Sequence, residues 1–482
     1  MVDRWPTLYV DGDWTPPESD EYRTVLDPAT GEAFAEAPNG GAADVEAAVE
    51  AARRSFETTW SDRSAHERVD VLHELADAVE ANADELAALE TRENGKPLHE
   101  SERDVEAAIE DFRYYAGAAD KHYGETLPNH DDLMDMTVRE PYGVVGTVIP
   151  WNWPPMHVAD FLAPALAAGN TMVLKPAPET PLCALRMAEL FDDLLPDGVF
   201  NVVPGGVEAG AALTSHPDVG KLAFTGNSNT GTEVLKSAAE HITPVMLELG
   251  GKNASVYFPD ADLEDAVPGT VDSAFYNSGE ACSSSERLLV HEEIHDEFLE
   301  RFVERTRELV VGPGDDPDTD IGPLASQQQY DKVTDYIEVG KREGADLVYE
   351  GGVPDGDGYF VAPHVFDGVE PDMRIFNEEI FGPVISVTTF ETEREAIELS
   401  NQVEYGLTGA VWSGDAKRAM RVAENLEVGF VLVNTYFRGG IGTPFGGYKR
   451  SGIGRKHAFE ETMREFTRTK TIRYNTGSTL QW

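Results

Sequence analysis

The sequence predicts an α/β protein with two successive doubly wound parallel-sheet domains, and two observations carry this prediction. From residue 143 onward, short β-rich runs alternate with helical stretches of roughly 10–15 residues, the pattern of βαβ units. A second series of the same kind begins after Gly251. We therefore expect two α/β units that meet near Glu248–Lys252.

The region before the first β-rich run is predicted to be largely helical. Apolar residues at helical spacing in residues 44–56 indicate an amphipathic helix with Asp44 as its N-cap. A longer helical pattern over residues 65–90 ends at Asn94-Gly95-Lys96-Pro97, which is a stop signal. A third helix is expected over residues 103–119.

The β-rich runs supply the strands of the two sheets. The first sheet is expected to contain Gly143–Ile149, Thr171–Leu174, Val199–Val203 and Lys221–Phe224. The second is expected to contain Ala254–Phe258, Arg287–His291, Val384–Phe390, Ala410–Trp412 and Val428–Val433. Residues 126–140 are interpreted as a hairpin that leaves the first unit, and the β-like tail 465–474 is expected to pair with it.

Charge excludes several function classes. The 482 residues include 38 Lys and Arg against 88 Asp and Glu, a formal net charge of −50. Nucleic acid and anionic lipid both require a basic face, so neither is expected as a partner. No apolar run is long enough for a membrane span, and the N-terminus lacks a signal pattern.

The balance of charged residues also predicts the cellular setting. Only 12 of the 38 basic residues are Lys. Such an acidic surface repels itself in dilute buffer, and salt near 1 M reduces the Debye length to about 3 Å. We therefore predict a halophilic, cytoplasmic protein.

Two cysteines, Cys183 and Cys282, exclude a disulfide framework and a Cys-rich zinc site, and no metal cofactor is expected. Cys183 lies in an apolar helical start and is interpreted as core. Cys282 lies among small residues in Asn277-Ser278-Gly279-Glu280-Ala281-Cys282-Ser283, where an activated thiolate would be both a nucleophile and a leaving group.

Other polar residues follow predicted strands, where ligands bind in open α/β sheets. Asn152 in Pro150-Trp151-Asn152 could donate to an oxyanion, and Lys175 could reach a phosphate or ribose hydroxyl. Glu248, at the junction, could be a general base with a raised pKa. Taken alone, these residues are better explained as a turn Asn, a solvated Lys and a salt-bridged or exposed Glu.

Taken in order, seven motifs resemble those of the aldehyde dehydrogenase superfamily over nearly the whole chain. They are Pro-Trp-Asn at 150–152, Lys-Pro-Ala at 175–177, Phe-Thr-Gly at 224–226, Leu-Glu-Leu-Gly-Gly-Lys at 247–252, Gly-x-x-Cys at 279–282, Glu-Glu-Ile-Phe-Gly-Pro at 378–383 and Pro-Phe-Gly-Gly at 444–447.

The resemblance implies an enzyme that oxidises an aldehyde with NAD or NADP. Cys282 would attack the carbonyl, Asn152 and the Cys282 backbone N–H would hold the oxyanion, and Glu248 would activate the water that hydrolyses the thioester. Lys175 is assigned to the catalytic group and, with Glu379, to the ribose hydroxyls. Phe381 would lie against the nicotinamide.

The resemblance also implies further binding residues. The cofactor groove would include Ile149, Pro150, Trp151, Ala177, Pro178, Glu179, Gly206, Gly210, Phe224, Thr225, Gly226, Asn227, Thr230 and Leu249. The aldehyde tunnel would include His157, Asp160, Ala281, Ser283, Asn434, Arg438 and Phe445.

The chain departs from the commoner family pattern at three places. Pro178 stands where NAD-preferring members often carry a Glu that binds the adenosine ribose, so the preference between NAD and NADP stays open. Asn227 replaces a commoner Ser, and Lys456 stands where Glu is usual, which puts a proton relay through that loop in doubt. Asp160 stands where semialdehyde enzymes often place an Arg, so a broad small-to-medium aldehyde is expected.

Four alternatives remain beside this interpretation: an inactive binding scaffold of the same fold, a semialdehyde-specific dehydrogenase, a cofactor-free thiol hydrolase and an acyl-transferring dehydrogenase. Glu248 disfavours the last. The resemblance further implies a homodimer or homotetramer joined through a small β oligomerisation arm. The expected division is 1–119 and 141–249 for the dinucleotide-binding domain, 250–456 for the catalytic domain, and 120–140 and 457–482 for the arm.

Overall fold

A computed structural model describes residues 3–436 and 440–477 and has a mixed α/β architecture. The first main sheet has eight strands, and its five central strands are parallel. In spatial order the strands are Gly452–Ile453, Val245–Glu248, Val219–Thr225, Val144–Val148, Thr171–Lys175, Phe200–Val202, Leu8–Val10 and Asp13–Thr15.

The second main sheet has seven strands, of which all but the edge strand Asp346–Glu350 run parallel to their neighbours. In spatial order they are Asp346–Glu350, His364–Asp367, Val384–Phe390, Arg287–His291, Ala254–Tyr257, Thr408–Trp412 and Phe430–Val433. The expected class of two parallel-sheet α/β units is confirmed.

Smaller sheets complete the strand inventory. They consist of Asp3–Arg4, Glu32–Pro38 and Tyr22–Asp27; of Tyr405–Gly406 and Tyr448–Lys449; and of Thr467–Asn475, Leu133–Pro141 and Thr126–His130. The last sheet contains the expected hairpin and tail. Its C-terminal strand pairs antiparallel with Leu133–Pro141 from Thr467↔Pro141 to Asn475↔Leu133, as the sequence predicted.

Helices connect the strands and cover the sheets. The α-helices are Ala42–Ser55, Ala65–Ala81, Ala83–Asn94, Leu98–Ala116, Pro154–Ala168, Leu182–Phe191, Val207–Thr214, Ser228–Ala239, Leu263–Phe275, His295–Arg307, Gln327–Glu343, Arg374–Asn377, Glu393–Asn401, Ala416–Asn425 and Phe459–Glu465. Short turns of other helical types span Phe56–Trp60, Tyr276–Gly279 and Glu292–Ile294. Among the residues described, no helix is both long enough and apolar enough to cross a bilayer.

Three N-terminal expectations need correction. Asp44 is not the N-cap but the third helical residue, and its carboxylate accepts a hydrogen bond from the Gly41 N–H over 2.8 Å. The helix expected over residues 65–90 breaks at Asn82, whose backbone (φ −121°, ψ 20°) leaves the helical region. The third helix begins at Leu98, earlier than expected, because Pro97 serves as its N-cap.

The parallel strands of the first sheet carry the expected binding segments at their carboxyl ends. Lys175 and Glu248 are each the last residue of a strand, and Gly226 directly follows another. Adjacent parallel strands share an orientation, so these residues lie along one edge of the sheet. Apolar side chains from the sheet and the N-terminal helices form the core beneath them.

Candidate active site

Cys282 follows a tight left-handed turn after the helix Leu263–Phe275. Asn277, Ser278 and Gly279 have φ of 48°, 56° and 74°, a conformation that costs energy for the two residues with a Cβ. A Cβ on Gly279 would collide with the Gly382 carbonyl, so a glycine is needed where these two segments approach each other. The turn brings the segment that carries Cys282 close to Gly382, next to the Glu379–Phe381 segment.

The Cys282 thiol is partly exposed, but its surroundings oppose ionisation. Desolvation raises the pKa of this thiol to about 12, while the charge of Lys456 lowers it. Glu248 and Glu379 add to the increase. Cys183, in contrast, is fully buried in its helix, as expected for a core residue.

Asn152 lies beside the nucleophile segment. Its side-chain Nδ2 donates to the Glu280 carbonyl over 3.1 Å, two residues before Cys282. That bond uses one of the two amide hydrogens, and the second is left for another acceptor. The buried Oδ1 has no hydrogen-bond partner among the described residues.

A buried charged cluster, which the sequence analysis missed, supports Asn152 from behind. The Lys96 ammonium donates to the Asn152 main-chain carbonyl over 2.6 Å and to Asp104 over 2.5 Å, and it pairs with Glu90 at 2.9 Å. The Asn277 amide donates to the same carbonyl over 3.1 Å. The sequence pattern marks Lys96 only as part of a helix stop, although a Lys beside two helices rich in acidic residues is a usable signal.

Glu248 has the environment of a base that holds its proton tightly. Burial raises the pKa of its carboxyl to about 8, against the opposing charges of Lys456 and Arg455. Neither carboxylate oxygen has a hydrogen-bond partner among the described residues. A Cβ on Gly446 would lie 2.8 Å from Oε1, so the Pro-Phe-Gly-Gly loop covers this carboxylate.

Lys175 is buried at the end of its strand. Its ammonium donates to the Pro176 carbonyl over 2.7 Å, and burial lowers its pKa to about 8 while Glu179 opposes that decrease. A Cβ on Gly210 would lie 3.6 Å from the Lys175 side chain. Ala177, Pro178 and Glu179 follow in the same segment, and Ile149, Pro150 and Trp151 follow the neighbouring strand.

Arg23, which the sequence analysis also missed, lies at the same end of the sheet. A Cβ on Gly206 would lie 2.7 Å from its guanidinium, and its charge acts on Lys175. Arg23 comes from the N-terminal strand Tyr22–Asp27, far from the motifs in sequence. No local pattern marked it.

The Phe-Thr-Gly segment leads into a helix that points its N-terminus at this edge. Asn227 is the N-cap of Ser228–Ala239 and accepts a hydrogen bond from the Thr230 N–H over 2.9 Å. A Cβ on Gly226 would lie 2.6 Å from the Phe224 ring. The Thr225 hydroxyl is buried without a partner among the described residues. Leu249 packs closely against Gly231 in this helix.

Glu379 and Phe381 cover the other side of this edge. The Glu379 carboxylate accepts from the Gly251 N–H over 2.7 Å, and burial raises its pKa to about 7. Phe381 has a φ of 61° and packs edge-to-face on Trp151, with ring centroids 5.5 Å apart. Its N–H donates to Glu286, which pairs with Lys252 at 2.6 Å.

Two of the expected tunnel residues form a buried polar cluster. His157 and Asp160 lie on the helix Pro154–Ala168 and are each only 1% exposed. The Asp160 carboxylate accepts from Lys456 over 2.6 Å and lies 2.6 Å from His457 Nε2 and 3.1 Å from His157 Nδ1. Its oxygens are therefore bonded within the chain.

The remaining tunnel residues have separate surroundings. Ala281 and Ser283 flank it, and the Tyr436 hydroxyl, not predicted from sequence, donates to the Ser283 carbonyl. The side chain of Asn434 bonds to both the N–H and the carbonyl of Ser413. Phe445 packs on Phe430 and His457. Arg438 lies outside the described residues.

The arrangement fits a dinucleotide beside a thiol. A buried Lys, a helix N-terminus, close-packed glycines and an unpartnered Thr225 hydroxyl suit phosphate and ribose oxygens. The thiol, an amide donor and a high-pKa carboxyl suit covalent capture of a carbonyl and later hydrolysis.

Comparisons with known proteins relate this chain to one family. Residues 14–472 match the model of the aldehyde dehydrogenase family. Similar relatives include the aldehyde dehydrogenase citD of Monascus ruber, 42% identical with 96% of this chain and 93% of the relative covered, and the betaine aldehyde dehydrogenase of Bacillus subtilis, 40% identical with 98% and 97% covered. A solved betaine aldehyde dehydrogenase from Staphylococcus aureus, in complex with NAD+, superposes with a TM-score of 0.96 at 38% identity, covering 98% of this chain and 95% of that one.

Proposed function

Because this chain belongs to the aldehyde dehydrogenase family, we propose that it oxidises an aldehyde to the carboxylic acid through a covalent intermediate on Cys282. The expected class, an NAD(P)-dependent aldehyde dehydrogenase, is confirmed by the family match and the similar NAD+-bound structures. The chemical steps and the residue roles are our proposal.

The observation that carries the proposal is the link between Asn152 and the nucleophile segment. One amide hydrogen of Asn152 bonds to the Glu280 carbonyl over 3.1 Å, two residues before Cys282, and the second remains available to another acceptor. A carbonyl attacked by the Cys282 sulfur would develop negative charge on its oxygen, and this N–H and the Cys282 backbone N–H would stabilise that charge.

The steps conserve atoms and electrons. The thiolate forms a C–S bond and gives a thiohemiacetal oxyanion. When bound, NAD(P) supplies the acceptor for the hydride that leaves this carbon. Collapse of the oxyanion leaves a thioester on Cys282. Glu248 takes a proton from water, the water oxygen bonds to the acyl carbon, and the C–S bond breaks to release the acid and the thiolate.

Glu248 suits the hydrolytic step because its pKa of about 8 makes it a stronger base than an ordinary carboxylate. Its carboxylate oxygens have no partner among the described residues, so they can accept a hydrogen bond from a water. A carboxyl with this placement favours release of the free acid over transfer of the acyl group to another thiol.

We assign the cofactor to the edge formed by Lys175, the Ser228–Ala239 helix N-terminus and the Glu379–Phe381 segment. Lys175 and Glu379 would bind ribose hydroxyls, and the helix N-terminus would face the pyrophosphate. Phe381 would limit where the nicotinamide lies. The chosen division into a dinucleotide-binding domain, a catalytic domain and an arm, with the boundaries given above, belongs to the same proposal.

The substrate is proposed to be a broad range of small-to-medium aldehydes. Asp160 is bonded to Lys456 and two histidines, so no cation from this position faces a substrate carboxylate. This arrangement gives no support to semialdehyde specificity. A homodimer or homotetramer and a halophilic, cytoplasmic setting complete the proposal, on the basis of the arm and of the net charge of −50.

The test follows the near-ultraviolet absorbance of the reduced nicotinamide in about 2 M KCl. Short aliphatic aldehydes, betaine aldehyde and one semialdehyde are offered with NAD and NADP separately. We expect cofactor reduction in the native chain and none in Cys282→Ala. No reduction by correctly folded protein would contradict the proposal and favour an inactive scaffold.

A further inference from the structure

Lys456 is a buried cation that the proposed reaction steps do not use. It is 4% exposed, and its ammonium donates to the Asp160 carboxylate over 2.6 Å. The Phe445 and Phe161 rings lie 5.8 and 6.0 Å from the same nitrogen. A charge fixed in such low-polarity surroundings acts over a longer range than one in water.

The groups packed around Lys456 favour its charged form. They are His157 and Asp160 from the helix Pro154–Ala168, Asp111 and Tyr115 from Leu98–Ala116, His457 from its own loop, Glu248 from its strand, and Cys282. Burial lowers the pKa of Lys456, but Asp160 and Glu248 outweigh that effect, so its pKa is raised.

Asp160 is the ionised carboxylate that pairs with the ammonium. Burial and then Asp160 raise the pKa of Asp111 well above its usual range. Burial alone would raise the pKa of Asp160, yet Lys456 and His457 hold it well below its usual value. Burial lowers the pKa of His157 to about 4, so this ring stays neutral. One Lys cation therefore faces one Asp anion.

The main chain ties Lys456 to the loop that covers Glu248. Lys456 and Phe445 exchange two backbone hydrogen bonds of 2.9 Å, and Gly446, the next residue, lies against Glu248 Oε1. Asp160 lies on the helix that begins two residues after Asn152. Lys456 thus ties the loop that covers Glu248 to the helix that follows the amide donor.

Among neighbouring charges, Lys456 has the largest effect on both reacting groups. Burial raises the pKa of both Cys282 and Glu248, and the charge of Lys456 lowers both of these pKa values. Arg455 acts in the same direction on Glu248, and Asp160 acts against it.

We propose that Lys456, anchored by Asp160, is a positioning residue whose fixed charge stabilises the Cys282 thiolate and the Glu248 carboxylate. It acts through these two groups and needs no contact with the aldehyde. The inference rests on the proposed function only for its consequence in turnover, because the effect on the thiol exists without substrate or cofactor.

The test measures the rate of Cys282 alkylation by iodoacetamide against pH, without cofactor, by mass spectrometry of the modified peptide. Cys183 is fully buried and serves as an internal negative. We expect Lys456→Met to slow alkylation about threefold to tenfold at each pH below the thiol pKa, since a higher pKa lowers the thiolate fraction but raises its nucleophilicity. Lys456→Arg should keep the native rate because it keeps the charge.

Lys221→Met is the matched control. Its ammonium is also buried and lies 2.6 Å from the partly exposed Glu465 carboxylate, but it is not among the main charges that shift the pKa of Cys282. The control should keep the native alkylation profile. If Lys456→Met does not fold, Lys456→Gln replaces it, with circular dichroism as the criterion. An unchanged profile in a folded neutral variant, or equal slowing in the Lys221 control, would overturn the inference.

Turnover measurements separate this inference from the proposed function. A native chain that alkylates as expected but reduces no cofactor would contradict the function and leave the electrostatic role intact. If the native chain oxidises aldehydes but loss of the Lys456 charge leaves alkylation unchanged, the function stands and the electrostatic role is contradicted.

Discussion

The Lys96 ammonium donates a hydrogen bond to the main-chain carbonyl of Asn152 over 2.6 Å. The same nitrogen lies 2.5 Å from Asp104 and 2.9 Å from Glu90, and all three side chains are buried. A cation inside the helical layer therefore fixes the backbone of the residue expected to hold the oxyanion. The ammonium is in turn held by its ion pairs with Glu90 and Asp104.

We expect Lys96→Met to destabilise the fold by about 3–5 kcal/mol, because it leaves the buried carboxyls of Glu90 and Asp104 without their cation. Unfolding by denaturant in molar KCl measures the change. The matched control is Lys236→Met, where an exposed pair with Glu233 should contribute at most about 1 kcal/mol. Equal losses of unfolding free energy in the two variants would show that the buried Lys96 cluster stabilises the fold no more than an exposed pair does.

Glu248 should control the release of the acid and give it a defined pH dependence. Burial raises its pKa to about 8, and only the ionised form accepts a proton from water. Below pH 8 the hydrolysis of the acyl-enzyme should therefore rise about tenfold per pH unit, and it should level off above that value. Stopped-flow measurement of the steady rate after the first burst of reduced cofactor follows this step.

Glu248→Gln provides the comparison, because it keeps the shape of the side chain and removes the base. The burst should remain while the steady rate falls at least about a hundredfold and loses its rise with pH. A variant that hydrolyses the thioester with the native pH profile would assign the base elsewhere.

Arg23 is expected to contribute to the use of NADP. Its guanidinium lies beside Gly206 and acts on Lys175, and Pro178 places no carboxylate there to repel a phosphate. Arg23→Gln should raise the KM for NADP about fivefold to tenfold and change the KM for NAD less than about twofold, since guanidinium groups bind phosphate strongly. Steady-state kinetics at moderate salt tests this, with the exposed Arg394→Gln as control. Equal changes for both cofactors would contradict the prediction.

The parts of this molecule that could be predicted from sequence share one property: their signals are local. Strand patterns, the motif residues at strand ends and the β-like character of the hairpin and of the tail can all be read within short windows, although the hairpin and the tail lie far apart in sequence. The break at Asn82 could not, because the apolar periodicity continues on both sides of it. Arg23 and Tyr436 were missed because the residues they contact lie far away in sequence. Lys96 was missed because its segment also matches a helix stop, although its partners Glu90 and Asp104 lie nearby in sequence.

Salt should stabilise this protein, and the structure indicates where the effect originates. The net charge of −50 is spread over a surface whose ion pairs, such as Arg394–Glu398 with side-chain exposures of 87% and 62%, lie largely in water. Screening weakens such pairs, but it weakens the far more numerous repulsions between carboxylates as well, and buried pairs such as Lys252–Glu286 at 2.6 Å are screened little. Repulsion should therefore dominate the balance, so the Tm should rise steadily as KCl increases from about 0.1 M to about 2 M.

Differential scanning fluorimetry measures this change in Tm, and sucrose at matched osmolality separates screening from general solvent exclusion. A Tm that stays flat or falls with KCl, or that rises equally in sucrose, would contradict a surface adapted to high salt.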